Sequence, residues 1–181
     1  MIYTLTIDCV YGAYLKQTCR RVIEIDERTT TYGLHLAIQK AVRFENDHPF
    51  EFYAARAERS RPRFPVGPEA IDLIFGGLPT ENLEGQLGLA LGFREKQPSP
   101  QHLAALNWAV QMAKLDDPAL CEIYPIPERL KLFYWFDFGD DWKFEIKKAR
   151  AAKSPARGVR YPKVIEQVGP NPKQYPNLDA L

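Results

Sequence analysis

The sequence predicts an α+β fold, a mostly antiparallel sheet with two main helices packed on it, in a single domain over residues 1–181. Three observations predict it. Residues 2–10 and 18–26 alternate apolar and polar side chains, the period of a half-buried strand. Two segments, beginning near Thr30 and Ser99, repeat apolar residues three and four apart, the period of a helix with one apolar face. Between two strand-like runs lies Phe138-Gly139-Asp140-Asp141, a tight-turn composition.

The first strand sets Tyr3, Leu5, Ile7 and Cys9 against Ile2, Thr4, Thr6 and Asp8. Gly12 marks a turn over residues 11–17. The second strand sets Cys19, Arg21, Ile23 and Ile25 against Arg20, Val22, Glu24 and Asp26, completing a hairpin with a long loop. Thr30 or Thr31 can cap the following helix, its hydroxyl taking up a free backbone N–H. Leu34, Ala37, Ile38, Ala41 and Val42 form the apolar stripe of that helix. His48-Pro49 leads into a third strand with Phe50, Phe52 and Tyr53.

Residues 58–98 carry repeated Pro and Gly breakpoints, among them Pro62, Pro65, Gly67, Pro68, Gly76, Gly77, Gly85, Gly88 and Gly92. They read as an irregular excursion, apolar enough to pack on the domain. Ser99 caps the second helix and Pro100 suits its first turn. Its stripe is Leu103, Leu106, Ala109, Val110 and Ala113, and Asp116-Asp117-Pro118 ends it. Residues 129–138 and 142–149 read as a hairpin on a two-residue type II′ turn with Gly139 at its first central position. That register pairs Asp137 with Trp142, Trp135 with Phe144 and Phe133 with Ile146. It puts Phe136 opposite Lys143 and Tyr134 opposite Glu145 on the other face. From residue 151 onward, prolines and lysines predict an irregular tail.

The chain has 181 residues, 45% hydrophobic and 26% charged. A domain of this size buries about 70% of its unfolded surface, so its core needs no staples. The net charge of +1 excludes a nucleic-acid binder that relies on its overall field. Local basic patches remain: Arg56, Arg59, Arg61 and Arg63, then Lys143, Lys147, Lys148, Arg150, Lys153, Arg157, Arg160 and Lys163. Nucleic acid through these patches, or a protein partner reached through the apolar 71–93 segment, are the two partner classes left open. Cys9, Cys19 and Cys121 lack metal or redox spacing and read as reduced thiols, with Cys9 and Cys19 near each other across the first hairpin. Met1-Ile2-Tyr3-Thr4-Leu5-Thr6-Ile7-Asp8 has no signal-peptide pattern. No run approaches the roughly 20 apolar residues that span a bilayer. The expected location is the cytoplasm, without a membrane partner.

No phosphate-cradling glycine loop, nucleophile elbow or Cys–His pair is present, so the common enzyme and cofactor signatures are missing. No cofactor or metal is expected from local spacing. Asp137, Asp140 and Asp141 are the main chemical candidates. Neighbouring carboxylates can bind hard cations or divide acid and base roles. The turn reading comes first, because Gly139 and Asp140 are what a tight turn requires. Asp137 on an apolar face needs a partner. His35 and His48 could join a carboxylate around a divalent ion, but a separation of thirteen residues reads first as two satisfied histidines at a helix–strand junction. His102, in the first turn of the second helix, reads as structural.

Three segments resemble a known family. The first is Arg20-Arg21-Val22 with Thr30, Leu34-His35, Ile38-Gln39 and His48-Pro49-Phe50-Glu51-Phe52. The second is Tyr134-Trp135-Phe136-Asp137-Phe138-Gly139-Asp140-Asp141-Trp142. The third is Tyr161-Pro162-Lys163-Val164-Ile165-Glu166 with Gly169 and Pro172. Together they are similar to the plasmid pRiA4b ORF-3-like family. The resemblance implies a helix on a mostly antiparallel sheet and a mobile-element setting, sometimes under a resolvase-like label. The surroundings of Ser60, Ser99 and Ser154 do not suit a recombinase nucleophile. Phe144 replaces a histidine common in relatives, and Asn171-Pro172-Lys173-Gln174-Tyr175-Pro176 replaces a Cys-Pro-Pro-Glu-Asp-type stretch. The motif makes Arg20 or Arg21 the expected partner of Asp137. It marks Arg20, Arg21, His35, His48, Asp137, Asp140, Asp141 and Trp142 as candidate ligand- or anion-binding residues. The function expected is a non-catalytic binding or adaptor module linked to mobile-element DNA or proteins. The alternative is a metal-assisted hydrolase or nuclease using Asp137, Asp140, Asp141 and His48.

Overall fold

The computed structural model describes residues 1–55, 70–71, 100–112, 115 and 117–175. The 58–98 excursion lies almost wholly outside them, as do Ser99, the Arg56–Arg63 patch and residues 176–181. The described elements are β1 (Ile2–Tyr11), β2 (Arg20–Asp26), α1 (Thr31–Val42), β3 (Phe50–Ala55) and β4 (Ala70–Ile71). They continue with α2 (Pro100–Met112), α3 (Leu120–Ile123), β5 (Lys131–Phe136), β6 (Trp142–Lys148) and β7 (Lys163–Val168). The seven strands form one sheet in the order β4-β3-β5-β6-β1-β2-β7. All pairings among them are antiparallel. The architecture is sheet-dominated with few helices, compatible with the α+β expectation.

One face of the sheet carries the main core. Leu5, Ile7, Ile23 and Ile25 from the first hairpin meet Leu34, Ile38 and Val42 of α1 there, all essentially inaccessible. The stripe read from periodicity is therefore the one α1 buries. Thr30 is its N-cap, its hydroxyl accepting from the Gly33 amide at 3.3 Å. Arg43 closes the helix in the left-handed region at φ 60°, its N–H donating to the Gln39 carbonyl. In α2 the expected stripe does not hold where it is described. Leu103 is 43% exposed, whereas Trp108 and Met112 are buried in the core. The Trp108 indole N–H donates to the Ile123 carbonyl at 2.9 Å. A large ring with a satisfied polar handle thus orients the helix more strongly than a leucine in its first turns.

The β5–β6 hairpin departs from expectation by one residue of register. Phe136 pairs with Trp142, Tyr134 with Phe144 and Leu132 with Ile146. The core face is therefore Leu132, Tyr134, Phe136, Trp142, Phe144 and Ile146. Phe133 opposite Glu145 and Trp135 opposite Lys143 point the other way, where Phe133, Trp135, Tyr53 and Ala55 form a second buried cluster. The connection is a five-residue loop, 137–141. Asp137 and Asp141 lie in the left-handed region at φ 52° and 58°, while Gly139 has no positive φ. A type II′ turn requires positive φ at that glycine. The register was not decidable from alternation, because β5 is apolar at every position from Leu132 to Phe136.

The tail also differs from expectation. Residues 163–168 form β7, which pairs with β2 at the sheet edge. Among the described residues no helix is long and apolar enough to cross a membrane. Cys9 and Cys19 are adjacent across the β1–β2 hairpin, where the Cys9 amide donates to the Cys19 carbonyl at 2.9 Å. Both are free thiols, and burial raises the pKa of each above its ordinary value.

Candidate functional site

The pairing of β3 with β5 builds the site. Phe50 is opposite Phe136, so His48, two residues before Phe50, comes beside Asp137, one residue after Phe136. The Asp137 amide donates to the Pro49 carbonyl at 3.1 Å and ties the hairpin loop to the α1–β3 connection. His48 Nε2 then lies 3.6 Å from Asp137 Oδ2. Two candidates that no local spacing connects are thus neighbours.

Asp137 is 6% exposed. Its Oδ1 accepts from the amides of Gly139 at 3.1 Å and Asp140 at 3.3 Å. The Asp137 carbonyl accepts from the Asp141 amide at 2.7 Å. This is an aspartate side chain imitating a backbone turn, and it leaves Oδ2 toward His48. Burial and then the Asp137 charge raise the Asp140 carboxyl above its ordinary value. The Asp140 carbonyl accepts from the Ala13 amide at 2.8 Å, anchoring the loop to the β1–β2 connection.

Asp141 belongs elsewhere. It is buried and forms an ion pair with Lys143 Nζ at 2.9 Å. Lys143, expected on a solvated strand face, is inaccessible and lies 5.2 Å from the ring centre of Tyr11 and 5.4 Å from that of Trp135. Trp142 is a core residue, fully buried and edge-on to Phe44 with 4.9 Å between ring centres. Its indole covers Gly12 so closely that a Cβ there would enter the ring.

The arginines do not reach Asp137. Arg20 pairs with Asp8, which also holds Lys147 at 3.2 Å. Burial alone would raise the Asp8 carboxyl, but hydrogen bonds from Arg20 and Lys147 outweigh it and the pKa is lowered. Arg21 is fully buried. Its guanidinium donates to the carbonyls of Ala41 (3.0 Å), Arg20 (2.7 Å), Val168 (3.1 Å) and Gly169 (3.4 Å), and to Asn171 Oδ1 (2.5 Å). It fastens the C-terminal strand and the segment after it to α1. The expected Asp137–arginine pair is therefore replaced by two separate structural roles.

His35 is inaccessible and stacks on Phe50 with 3.8 Å between ring centres. Burial lowers its pKa, so the imidazole is neutral near pH 7. Asn46 Oδ1 lies 2.6 Å from Nε2 and can only accept, which places the proton on Nε2. Nδ1 then accepts from the Tyr134 hydroxyl at 2.7 Å, and that hydroxyl accepts from Gln39 Nε2 at 2.6 Å. Each member orients the next, and the chain ends at Asn46 on the surface.

Sequence reasoning missed the second half of the His48 cluster. Tyr175 donates its hydroxyl proton to Asp47 Oδ2 at 2.6 Å. Its oxygen accepts from His48 Nε2 at 2.9 Å and from Gln174 Nε2 at 2.8 Å. The Tyr175 bond lowers the Asp47 pKa. Burial and then Asp47 push Tyr175 up to about 12. Buried Gln174 also accepts from the Glu45 amide at 2.7 Å and donates to Asp47 Oδ1 at 3.0 Å. Asp47 could have been noted as the neighbour of His48. Gln174 and Tyr175 lie more than 120 residues away and carry no local signal.

Beside this cluster is a cavity of about 860 Å³. Its walls include Tyr32, Phe50, Phe52 and Phe138, with His48 and Asp117 at polar positions. Asp117 accepts from the Thr31 hydroxyl at 2.6 Å and the Tyr32 amide at 2.9 Å. Burial opposes these bonds, yet its carboxyl is held below the ordinary value. No Lys or Arg is among the described residues lining the cavity. Among the described residues no three His, Cys, Asp or Glu side chains are grouped to hold a metal ion.

The family model described as plasmid pRiA4b ORF-3-like protein matches residues 10–174. Among solved structures, a protein of unknown function from Methanosarcina mazei Go1 aligns with a TM-score of 0.51 at 19% identity, covering 92% of this chain and 68% of that one. That likeness concerns the fold alone. No curated protein matches the chain.

Proposed function

Because the chain belongs to the plasmid pRiA4b ORF-3-like family, whose description names no activity, we propose from the site itself that it is a non-catalytic binding or adaptor module. It receives a cationic side chain of a partner protein in the aromatic cavity beside His48. One observation carries this reading: the cavity combines Tyr32, Phe50 and Phe138 with carboxylate groups and has no lysine or arginine among its described lining residues. Its volume of about 860 Å³ is within the usual range for ligand pockets, roughly 300–1,000 Å³. Aromatic faces attract a cation at about 0.5–2 kcal/mol each, and nearby carboxylates add Coulombic attraction while repelling phosphate.

Nucleic acid is the less favoured partner within the mobile-element setting that the family resemblance implies. Several cations of the second basic stretch are already engaged. Lys143 is buried against Asp141, Lys147 pairs with Asp8 and Glu145, and Lys153 pairs with Glu24. The hydrolytic alternative retains one supporting contact, His48 with Asp137. Asp141 faces Lys143, away from that contact.

Calorimetric titration with a short arginine-rich peptide tests the reading. Binding is expected, and Tyr32→Ala and Phe138→Ala should each weaken it about three- to thirtyfold without changing the unfolding temperature. Both side chains are substantially exposed, so neither variant threatens the core. Equal binding by wild type and both variants would disprove the cavity as the seat. A turnover abolished by Asp137→Ala in a folded protein would replace the binding module with an enzyme.

A further inference from the structure

A second cavity, of about 470 Å³, lies at the other end of the β5–β6 hairpin. Its apolar walls are Tyr3, Tyr124, Ile126, Leu130, Leu132 and Ile146. Its described charged lining is basic: Lys131, Lys147, Lys148 and Arg150, with no Asp or Glu among the described lining residues. The strand pairing explains this assembly. Leu132 lies opposite Ile146, Lys148 opposite Leu5, and the Ala149 amide donates to the Thr4 carbonyl at 2.9 Å. The end of β6 therefore passes under Tyr3, while the chain leaving α3 brings Tyr124 edge-on to Tyr3, with 6.2 Å between ring centres.

The four cations are not equivalent. Lys131 pairs with Glu145 at 3.1 Å, and Lys147 pairs with Asp8 and Glu145 at 3.2 Å each. Lys148 has no carboxylate partner among the described residues. Its ammonium lies 4.4 Å from the centre of the Tyr3 ring and 5.8 Å from that of Tyr124, and donates to the Ala149 carbonyl at 3.1 Å. Two aromatic faces hold it at the cavity wall while leaving it N–H donors to spare. Arg150 likewise has no carboxylate partner among the described residues and offers a planar fork that suits carboxylate or phosphate. Tyr124 stands in the same wall with its hydroxyl buried and unpartnered among the described residues.

We infer that this cavity is a binding site for a small amphipathic anion, a carboxylate or phosphate headgroup on an apolar body. The headgroup sits between Lys148 and Arg150, and the body packs against the partly accessible Tyr124, Ile126 and Leu130. This site is distinct from the aromatic cavity beside His48, and its test does not depend on that cavity.

The experiment is calorimetric titration with octanoate, octyl phosphate, octanol and acetate. At least one of the two amphipathic anions should bind about tenfold or more tightly than octanol and acetate, and the tighter one identifies the headgroup. Lys148→Gln keeps most of the stem over Tyr3 and removes the charge. It should weaken the anion about tenfold and leave octanol unchanged. Lys163→Gln, on β7, is the control for bulk charge and should bind as wild type does. Thermal unfolding of each variant verifies the fold. Equal binding of octanoate, octyl phosphate and octanol would overturn the assignment, as would no binding by any of them. Equal losses in Lys148→Gln and Lys163→Gln would do the same.

Discussion

Asp137 illustrates how one side chain can serve loop and site together. Its Oδ1 organises the 137–141 loop and its Oδ2 faces His48. Removing the acceptor in Asp137→Ala should cost about 1–3 kcal/mol by leaving two loop amides without their partner. Asp137→Asn keeps an acceptor and tolerates positive φ, so it should cost less than about 1 kcal/mol; urea denaturation separates the two. The same Asn variant removes a neighbouring negative charge. The Asp140 carboxyl, raised by burial and by Asp137, should therefore titrate at lower pH, as followed by NMR. Gly169 is a second constrained position. It has φ 74°, and a Cβ there would run into the Thr18 carbonyl. Gly169→Ala should destabilise by more than about 1 kcal/mol.

Among elements, the C-terminal strand and the segment after it are the part least explained by local composition. All six residues of β7 are exposed, so apolar burial does not hold the strand. Its attachment comes from pairing with β2, from the Arg21 guanidinium and from the Gln174 side chain. Arg21→Met removes the guanidinium donors to the Val168 and Gly169 carbonyls and to Asn171 Oδ1. Amide exchange across 163–168 should then accelerate by at least about tenfold, while β3 and β5 change little. Uniform acceleration over the whole sheet would mean instead that Arg21 supports the core globally. The proline- and lysine-rich composition conceals this strand, because its partners are a buried arginine and an edge that only the folded sheet presents. Hairpin register was hidden for a related reason. Lys143 and Glu145 are polar residues on a buried face, so polarity misdirected the choice between two slips.

For the whole molecule, acid stability should fall in two stages. Burial lowers the pKa of His35 from its ordinary 6.5. Below that value the unfolded chain takes up a proton that the folded chain excludes, so stability declines as pH falls through 6.5. The decline from this group ends at its lower folded pKa. Asp8, Asp47 and Asp117 have pKa values lowered from 3.8. Their contribution is fully present above 3.8 and is lost as pH falls from there through their folded values. Denaturation midpoints measured from pH 8 to 2 should show both declines, and His35→Gln should flatten the first while sparing the second. A first stage unchanged by that substitution would assign it to another group.

Local sequence determined the strands of the first hairpin, the cap and buried stripe of α1, and the existence of the β5–β6 hairpin. Each depends on neighbours within one or two turns of chain, so periodicity and capping chemistry suffice. The three family-like segments were legible for the same reason. Tertiary structure alone decided that His48 meets Asp137, that Arg21 clamps the C-terminal segment, and that Tyr175 completes the His48 cluster. Those contacts depend on which edges pair and in what register, and a one-residue slip reverses which face a strand buries. The candidate residues could therefore be named from the chain, but the fold assigned them to separate sites: the His48 cavity, the Arg21 clamp and the Trp142 core.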